Sequence, residues 1–273
     1  MIREDEKYHH FRIEVPPDFK EVFSHFYFAE NTSAEPVTKT LLPSFQTILV
    51  FNFGTNTILY SQVQTSIEIA KHLVLGPIKR AFDYTLPAKA EILVANFKED
   101  AFYRFFGSVA LSENHSLNPD DLTDGNCFSL LWSELDKIRN VNHRIGYILD
   151  FCKPYLKERN VIVQQLAKIK NGALHTIKTI ASQQKQSERN IQLQYKKQFG
   201  YSAKEMNRFQ RFLKAMEQLQ NIAAKSSKID WFEIIEECGF YDQSQLIHDF
   251  KHYIHLSPTQ YLKFQQDICT VKP

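Results

Sequence analysis

The chain has 273 residues, 43% hydrophobic and 23% charged, with a formal net charge of +2. That length holds two modest domains or one large one, and the composition is that of a soluble globular protein. The near-neutral total conceals an asymmetry: residues 161–273 carry sixteen basic and ten acidic side chains, a net +6, against −4 for the rest, so the two parts are expected to meet different partners.

Cys127, Cys152, Cys238 and Cys269 form no C-x-x-C pair and have no His/Cys cluster beside them. This argues against structural zinc and for buried free thiols in a reducing compartment. The start, "MIREDEKYHH", has no apolar signal core, and no apolar run approaches the roughly 20 residues that span a bilayer. A cytoplasmic protein without a membrane partner is expected.

Residues up to about 110 read as strands. "FSHFYFAE" is aromatic-rich, and "FQTILVFNFGTNTILYS" holds two β-branched and aromatic runs around Gly54, Thr55 and Asn56, the pattern of a hairpin. "HLVLGPIKRAFDYTLPAKAEILVANF" adds two more runs broken by Pro77 and Pro87, and "AFYRFFG" follows. The spacing predicts a small barrel or sandwich. "SENHSLNPDDLTDGN" reads as a loop or short helices. Helical spacing then takes over at Phe128, Leu131 and Leu135, and again at Ile145, Ile148 and Phe151 or Cys152, with Pro154 ending or bending that helix. Val161, Leu166 and Ile169 continue the pattern. The domain boundary is placed near residue 160, giving domains 1–160 and 161–273.

The second part contains a loose repeat, a short amphipathic helix, a turn and a second helix, over 173–183 and 187–199 and again over 230–237 and 242–254. A longer helix joins the copies, with a predicted apolar stripe of Met206, Phe209, Leu213, Met216 and Leu219. In the second copy Asp230 is a candidate N-cap, Ile234 and Ile235 face inward, and Gly239 and Phe240 make and plug a sharp turn. Asp242 or Ser244 caps the next helix, whose inward residues are Leu246, Ile247, Phe250 and Ile254. This is helix-turn-helix grammar, with a polar outer face on the second helix.

"CGFYDQSQLIHDFKHYIHLSPTQY" resembles the signature of the AraC/XylS family of bacterial transcription activators, in Gly239, Phe240, Asp242, Gln243, Ser244, Phe250, Lys251, Ser257, Pro258 and Tyr261. It departs at His255, where that family has Gly, so a turn must form there without a residue free to adopt positive φ. "SERNIQLQYKKQFGYSAKEMNRFQRFLKA" resembles the family's first motif in Ser187, Arg189, Ile191, Tyr195, Phe199, Gly200 and Arg211. Gln184, Lys185 and Gln186 replace its apolar–Gly–apolar turn, and Ala203 a usual Pro; a looser first turn is expected. "LPSFQTILVFNFG" and "LGPIKRAFDY…ILVANFKEDAFYRFFG" resemble the cupin-like sensor domain of many members.

The resemblance implies an α+β two-domain fold. Its N-terminal part is a cupin-like β-barrel or sandwich with helices, and its C-terminal part is all-α with two helix-turn-helix motifs. The implied function is sequence-specific binding of double-stranded DNA to regulate transcription, as an activator that touches RNA polymerase, with the N-terminal domain sensing a small-molecule effector or forming a homodimer. The base-reading candidates are Gln243, Ser244, Gln245 and His248 in the second motif and Arg189, Asn190, Gln192 and Gln194 in the first. Lys196, Lys197, Lys251 and His252 are expected on phosphates. Two recognition helices on one rigid helix would reach successive major-groove turns, roughly 34 Å apart.

Two other classes compete. A cupin enzyme with accessory DNA binding needs His-x-His and a nearby Glu to hold a metal; His9, His10 and His25 supply neither, so no metal, cofactor or catalytic residue is expected. A methyl-accepting repair protein needs a reactive zinc-bound Cys cluster, which the scattered cysteines lack. A ligand-independent dimeric DNA-binding protein remains, and a ligand screen separates it from a sensor.

Overall fold

The computed structural model describes residues 8–60, 66–107, 116–123, 125–159, 161–167, 173–225 and 229–270. The chain divides into two compact units: residues 1–168 with 193–200, and residues 169–192 with 201–273.

The first unit is built on two antiparallel sheets. Strands β1 (Tyr8–Ile13), β2 (Phe23–Asn31), β4 (Ile48–Gly54), β7 (His72–Leu75) and β9 (Ala90–Phe97) form a five-stranded sheet in the order β1-β2-β9-β4-β7. Strands β3 (Val37–Leu41), β5 (Thr57–Tyr60), β6 (Ser66–Ile69) and β8 (Phe82–Leu86) form a four-stranded sheet in the order β3-β8-β5-β6. The nearly unbroken apolar runs "ILVFNF" and "EILVANF" belong to β4 and β9, which lie side by side with Val50 opposite Val94. Successive residues of a strand point to opposite faces, so each run feeds two cores. Ile48, Val50, Ile92 and Val94 join Leu59, Ile69 and Leu86 in one core. Leu49, Phe51, Phe53, Leu93, Ala95 and Phe97 pack in another with residues of α1 (Ala101–Phe106), α2 (Cys127–Asp136) and α3 (Val141–Cys152). A sheet buried on both faces has no use for alternation.

Two expectations fail. The expected hairpin at Gly54 does not form: β4 and β5 lie in different sheets. Asn52 holds the crossing by accepting from the Thr57 amide at 3.2 Å and donating to the Thr55 carbonyl at 3.2 Å. Gly54 has φ +73, and a Cβ there would collide with the Lys89 carbonyl. "AFYRFF" is helix α1 rather than a strand, because Phe102, Tyr103 and Phe105 all bury against the helix-covered core, and packing overrides aromatic strand propensity. Part of the polar loop before α2 lies outside the described residues; Pro119–Leu122 in it is a short 3-10 turn.

Beyond α4 (Val161–Ala167) come α5 (Ala173–Gln183), α6 (Glu188–Phe199), α7 (Ala203–Lys225), α8 (Trp231–Cys238), α9 (Gln243–Ile254) and α10 (Pro258–Thr270). In the second unit α7 is the axis, packed against α5, α8, α9 and α10. Its buried residues are Ala203, Phe209, Phe212, Ala215, Leu219 and Ala223. Leu213 of the expected stripe is exposed instead, since helices on several sides of α7 shift the buried face toward Phe212. Phe212 meets Phe250 edge-on with ring centroids 5.0 Å apart, and Tyr253 lies 4.7 Å from Phe212.

Candidate nucleic-acid interface

Both short turns are closed in the same way. After α8, Gly239 takes a left-handed conformation at φ +76; its amide donates to Glu236 O at 3.1 Å and the Phe240 amide to Ile235 O at 2.9 Å. After α5, Lys185 takes that conformation at φ +51; its amide donates to Ser182 O at 3.3 Å and the Gln186 amide to Ala181 O at 2.9 Å. These are paired Schellman closures. The first turn is therefore not looser in its hydrogen bonds, but Lys185 bears the left-handed backbone that Gly239 adopts freely. Buried Phe240 plugs the second turn under the Arg211 guanidinium, 4.8 Å from the ring centroid. Gln186 takes that place in the first and accepts from Asn190 Nδ2 at 2.9 Å.

Capping fixes where each helix begins. Asp230 accepts from the amides of Phe232 and Glu233, and Asp242 from the Gln245 amide at 2.7 Å, while Gln245 Oε1 accepts from the Tyr241 amide at 2.8 Å. The Ser-Pro-x-x-Tyr stretch has a parallel logic. Ser257 Oγ accepts from the Gln260 amide at 3.2 Å, Gln260 Oε1 accepts from the Ser257 amide at 2.7 Å, and Pro258 opens α10. Tyr261 is buried, its hydroxyl accepting from Gln220 of α7 at 2.7 Å. His255 closes α9 at φ +62, the conformation its position demands.

Helix α9 buries Leu246, Asp249, Phe250, Tyr253 and Ile254. Ser244, His248 and Lys251 are exposed on the opposite side, with Gln245 and His252 half-buried along it and Gln243 exposed in the first turn. Arg208 of α7 donates to His248 Nδ1 at 2.9 Å. An arginine cannot accept, so Nδ1 is the acceptor and Nε2 carries the proton. Nδ1 also lies 3.7 Å from an Asp249 carboxylate oxygen. The His248 Nε2–H suits an acceptor such as guanine N7 or O6. Asp249, its side chain 1% exposed, takes Arg208 Nε at 2.7 Å and an Arg211 terminal nitrogen at 3.3 Å. These ion pairs tie α9 to α7.

On α6, Ile191, Tyr195 and Phe199 are buried, while Arg189, Asn190, Gln192, Lys196 and Lys197 are exposed and Gln194 is half-buried. Asn190 is committed to Gln186, and Gln245 to its helix start, so neither is as free as its residue type suggests. Leu193, 59% exposed among these polar groups, and Tyr241, 91% exposed just before α9, went unnoticed in the sequence. A lone apolar residue on a polar face is their only signal. Lys204, Arg208 and Arg211 were missed as a group, although their spacing on α7 puts them on one face.

A family model described as a helix-turn-helix domain matches residues 180–263, spanning both turns and α9. The C-terminal region is an AraC-type helix-turn-helix domain. The chain is accordingly a DNA-binding transcriptional regulator. Ahead of the AraC-type domain, residues 12–116 match a family described only as a domain of unknown function, DUF6597. No curated protein matches the chain. Among solved structures, ToxT from Vibrio cholerae is similar at 15% identity and TM-score 0.41, covering 88% of this chain and 98% of that one. A second ToxT structure, from Vibrio cholerae O395, is similar at 12% identity and TM-score 0.39, with coverages of 96% and 98%. An RmlC-like cupin protein from Desulfovibrio desulfuricans matches 36% of this chain and 88% of its own at 12% identity and TM-score 0.26. At these scores the fold reading rests on the strand order and helix closures above.

The β unit contributes a second polar cluster. The hydroxyls of Tyr8, Tyr27 and Tyr84 lie 3.1, 3.2 and 3.3 Å from one another. Tyr84 comes from the four-stranded sheet and the other two from the five-stranded sheet, so the cluster bridges them. Burial, together with the hydrogen bond from Tyr27, pushes Tyr8 and Tyr84 up from their ordinary values and keeps both phenols neutral. Lys39 Nζ sits 4.9 Å over the Tyr8 ring. Elsewhere His72 Nε2, Ser129 Oγ and Asp120 are close, but the serine lies between the other two at 3.2 Å and 2.6 Å. Asp120 caps α2 through the Phe128 and Ser129 amides. That order is a structural relay, not a nucleophile activated by histidine. Among the described residues no group of three or more His, Cys, Asp and Glu side chains is placed to hold a metal, and no helix is long and apolar enough to cross a membrane. Burial pushes the Cys152 thiol up to about 12 and raises Cys238 as well, which leaves both unreactive.

Proposed function

We propose that the chain is an effector-responsive, non-enzymatic activator acting in the cytoplasm, with its functional division near residue 160. In this reading Ser244, His248, Gln243 and Gln245 of α9 meet base edges, and Lys251 and His252 meet phosphates. On α6, Arg189, Asn190, Gln192 and Gln194 read bases while Lys196 and Lys197 hold the backbone. The observation that carries the reading is the repeat itself: two turns with the same pair of closing hydrogen bonds, each leading into a helix with a polar outer face. Contact with RNA polymerase and pairing of two copies belong to the same reading.

The effector is a small molecule whose polar oxygen displaces the mutual bonds of Tyr8, Tyr27 and Tyr84. Neutral phenols in a half-buried site donate to an acceptor without the cost of desolvating a charge. Binding there changes the relation of the two sheets, and it regulates only by favouring one state over another.

Genome-wide binding of the full-length protein on fragmented genomic DNA at two salt concentrations tests the DNA reading. Enrichment upstream of a few genes supports it; uniform binding that collapses with salt refutes sequence reading. A thermal-shift screen of small molecules tests the sensor. A compound that raises the melting temperature of the native protein but not of Tyr27→Phe supports the tyrosine site, and equal shifts for both refute it.

A further inference from the structure

A cavity of about 520 Å³ opens between the first turns of α7 and the reading side of α9, lined by Lys204, Asn207, Arg208, Arg211, Gln245, His248 and Asp249. Three of these are permanent cations and one is a carboxylate, and that carboxylate is buried and already shared by Arg208 and Arg211. What faces the opening is therefore net positive. Donors remain unused. Arg211 Nε is buried with no acceptor among the described residues. Arg208 spends Nε on Asp249 and one terminal nitrogen on His248. Lys204 is exposed at the rim. A concave, cationic site with forked guanidinium donors suits a phosphate, whose oxygens accept from several N–H groups at once.

We propose that this cavity seats one phosphate of the DNA backbone beside the half-site that α9 reads. The proposal rests on the reading above and deepens it. The axial helix α7 becomes a third contact, and Arg208 both clamps the backbone and, through His248 Nδ1, sets the tautomer that addresses the base. Reading and register are thereby coupled through one side chain.

The experiment uses the full-length protein and a genomic fragment that it enriches, with affinity measured from 50 to 200 mM salt. Lys204→Gln is the informative variant, because Lys204 is exposed and supports no packing; Arg208 also holds Asp249. Losing one phosphate contact lowers the log–log salt slope by about 0.9, so the native advantage over Lys204→Gln shrinks about 3.5-fold across that range, equally on specific and random DNA. A single neutral methylphosphonate at the seated position lowers the salt slope of the native protein by the same amount and leaves that of Lys204→Gln unchanged. An unchanged slope, with native binding intact, overturns the proposal alone. Absence of DNA binding by the native protein overturns the parent reading with it. Sodium phosphate that raises the melting temperature of the native protein but not of Lys204→Gln, while the salt slope is unchanged, reassigns the cavity to a free phosphate and also overturns it.

Discussion

Among the described residues, Lys185 and His255 are the two non-glycine residues of the helical region that hold left-handed backbone at a helix end. Each bears a cost of about 1 kcal/mol that glycine would not. Lys185→Gly and His255→Gly are therefore expected to raise the melting temperature of the DNA-binding unit by about 4–8 °C each, and to add when combined, since they close different motifs. Gly239→Ala is expected to lower it by a similar amount. A Cβ at Gly239 meets nothing within 4 Å, so backbone strain is the whole effect. Differential scanning calorimetry of the three variants checks this, and a stabilised Gly239→Ala would refute it.

Among the elements, α10 and α2 each depend on a cap supplied by side chains. Removing the Ser257 hydroxyl leaves the Gln260 amide unpaired, so Ser257→Ala is expected to destabilise by about 1 kcal/mol, read as a shift in denaturation midpoint at unchanged slope. The cap on α2 brings pH into play. Burial lowers the pKa of His72 below its usual 6.5; Asp120 opposes that and Lys71 adds to it. The unfolded chain then binds more protons than the native one just below 6.5, and stability rises with pH there. The β unit is expected to keep its full stability above about pH 6.5 and to lose it progressively below; His72→Gln flattens that part of the profile.

The elements also mark what was legible. Apolar positions recurring at helical spacing located α5, α6, α8 and α9, and Ser187, Asp230 and Asp242 mark the starts of the last three. The strand runs were visible too, but not their partners. "FNFGTNTI" carries turn residues between apolar runs whether the chain folds back or crosses to another sheet, and only the Asn52 bonds decide. Aromatic "AFYRFF" has strand propensity and helical packing, and packing prevailed. The outer faces of α6 and α9 could be read from spacing, whereas the commitments of Asn190 and Gln245 could not. Those depend on bonds to Gln186 and Tyr241, which spacing does not encode. Lys204, Arg208 and Arg211 stayed hidden because a charged stripe on a long helix resembles an ordinary solvated face.

For the whole molecule, the two classes of contact make different demands on DNA. Substituting Ser244 and His248 by alanine is expected to cost about 1–3 kcal/mol per lost base contact on the enriched sites and little on random DNA. Lys251→Ala is expected to weaken both alike and to reduce the salt slope by about 1. Competition binding against specific and random fragments separates the two patterns.

The central strands β4 and β9, with both faces in a core, constrain how this chain can diverge. Along β4 and β9 neither odd nor even positions are free: a change at Val50 disturbs the inter-sheet core and a change at Phe51 the helical one. Such strands offer little neutral drift. The four-stranded sheet does, with Thr38, Lys39, Thr40, Tyr60, Ser66, Glu68 and Asp83 all facing solvent. Relatives that answer to different signals are expected to have diversified there and at the sheet edges, around a septum that stays nearly constant.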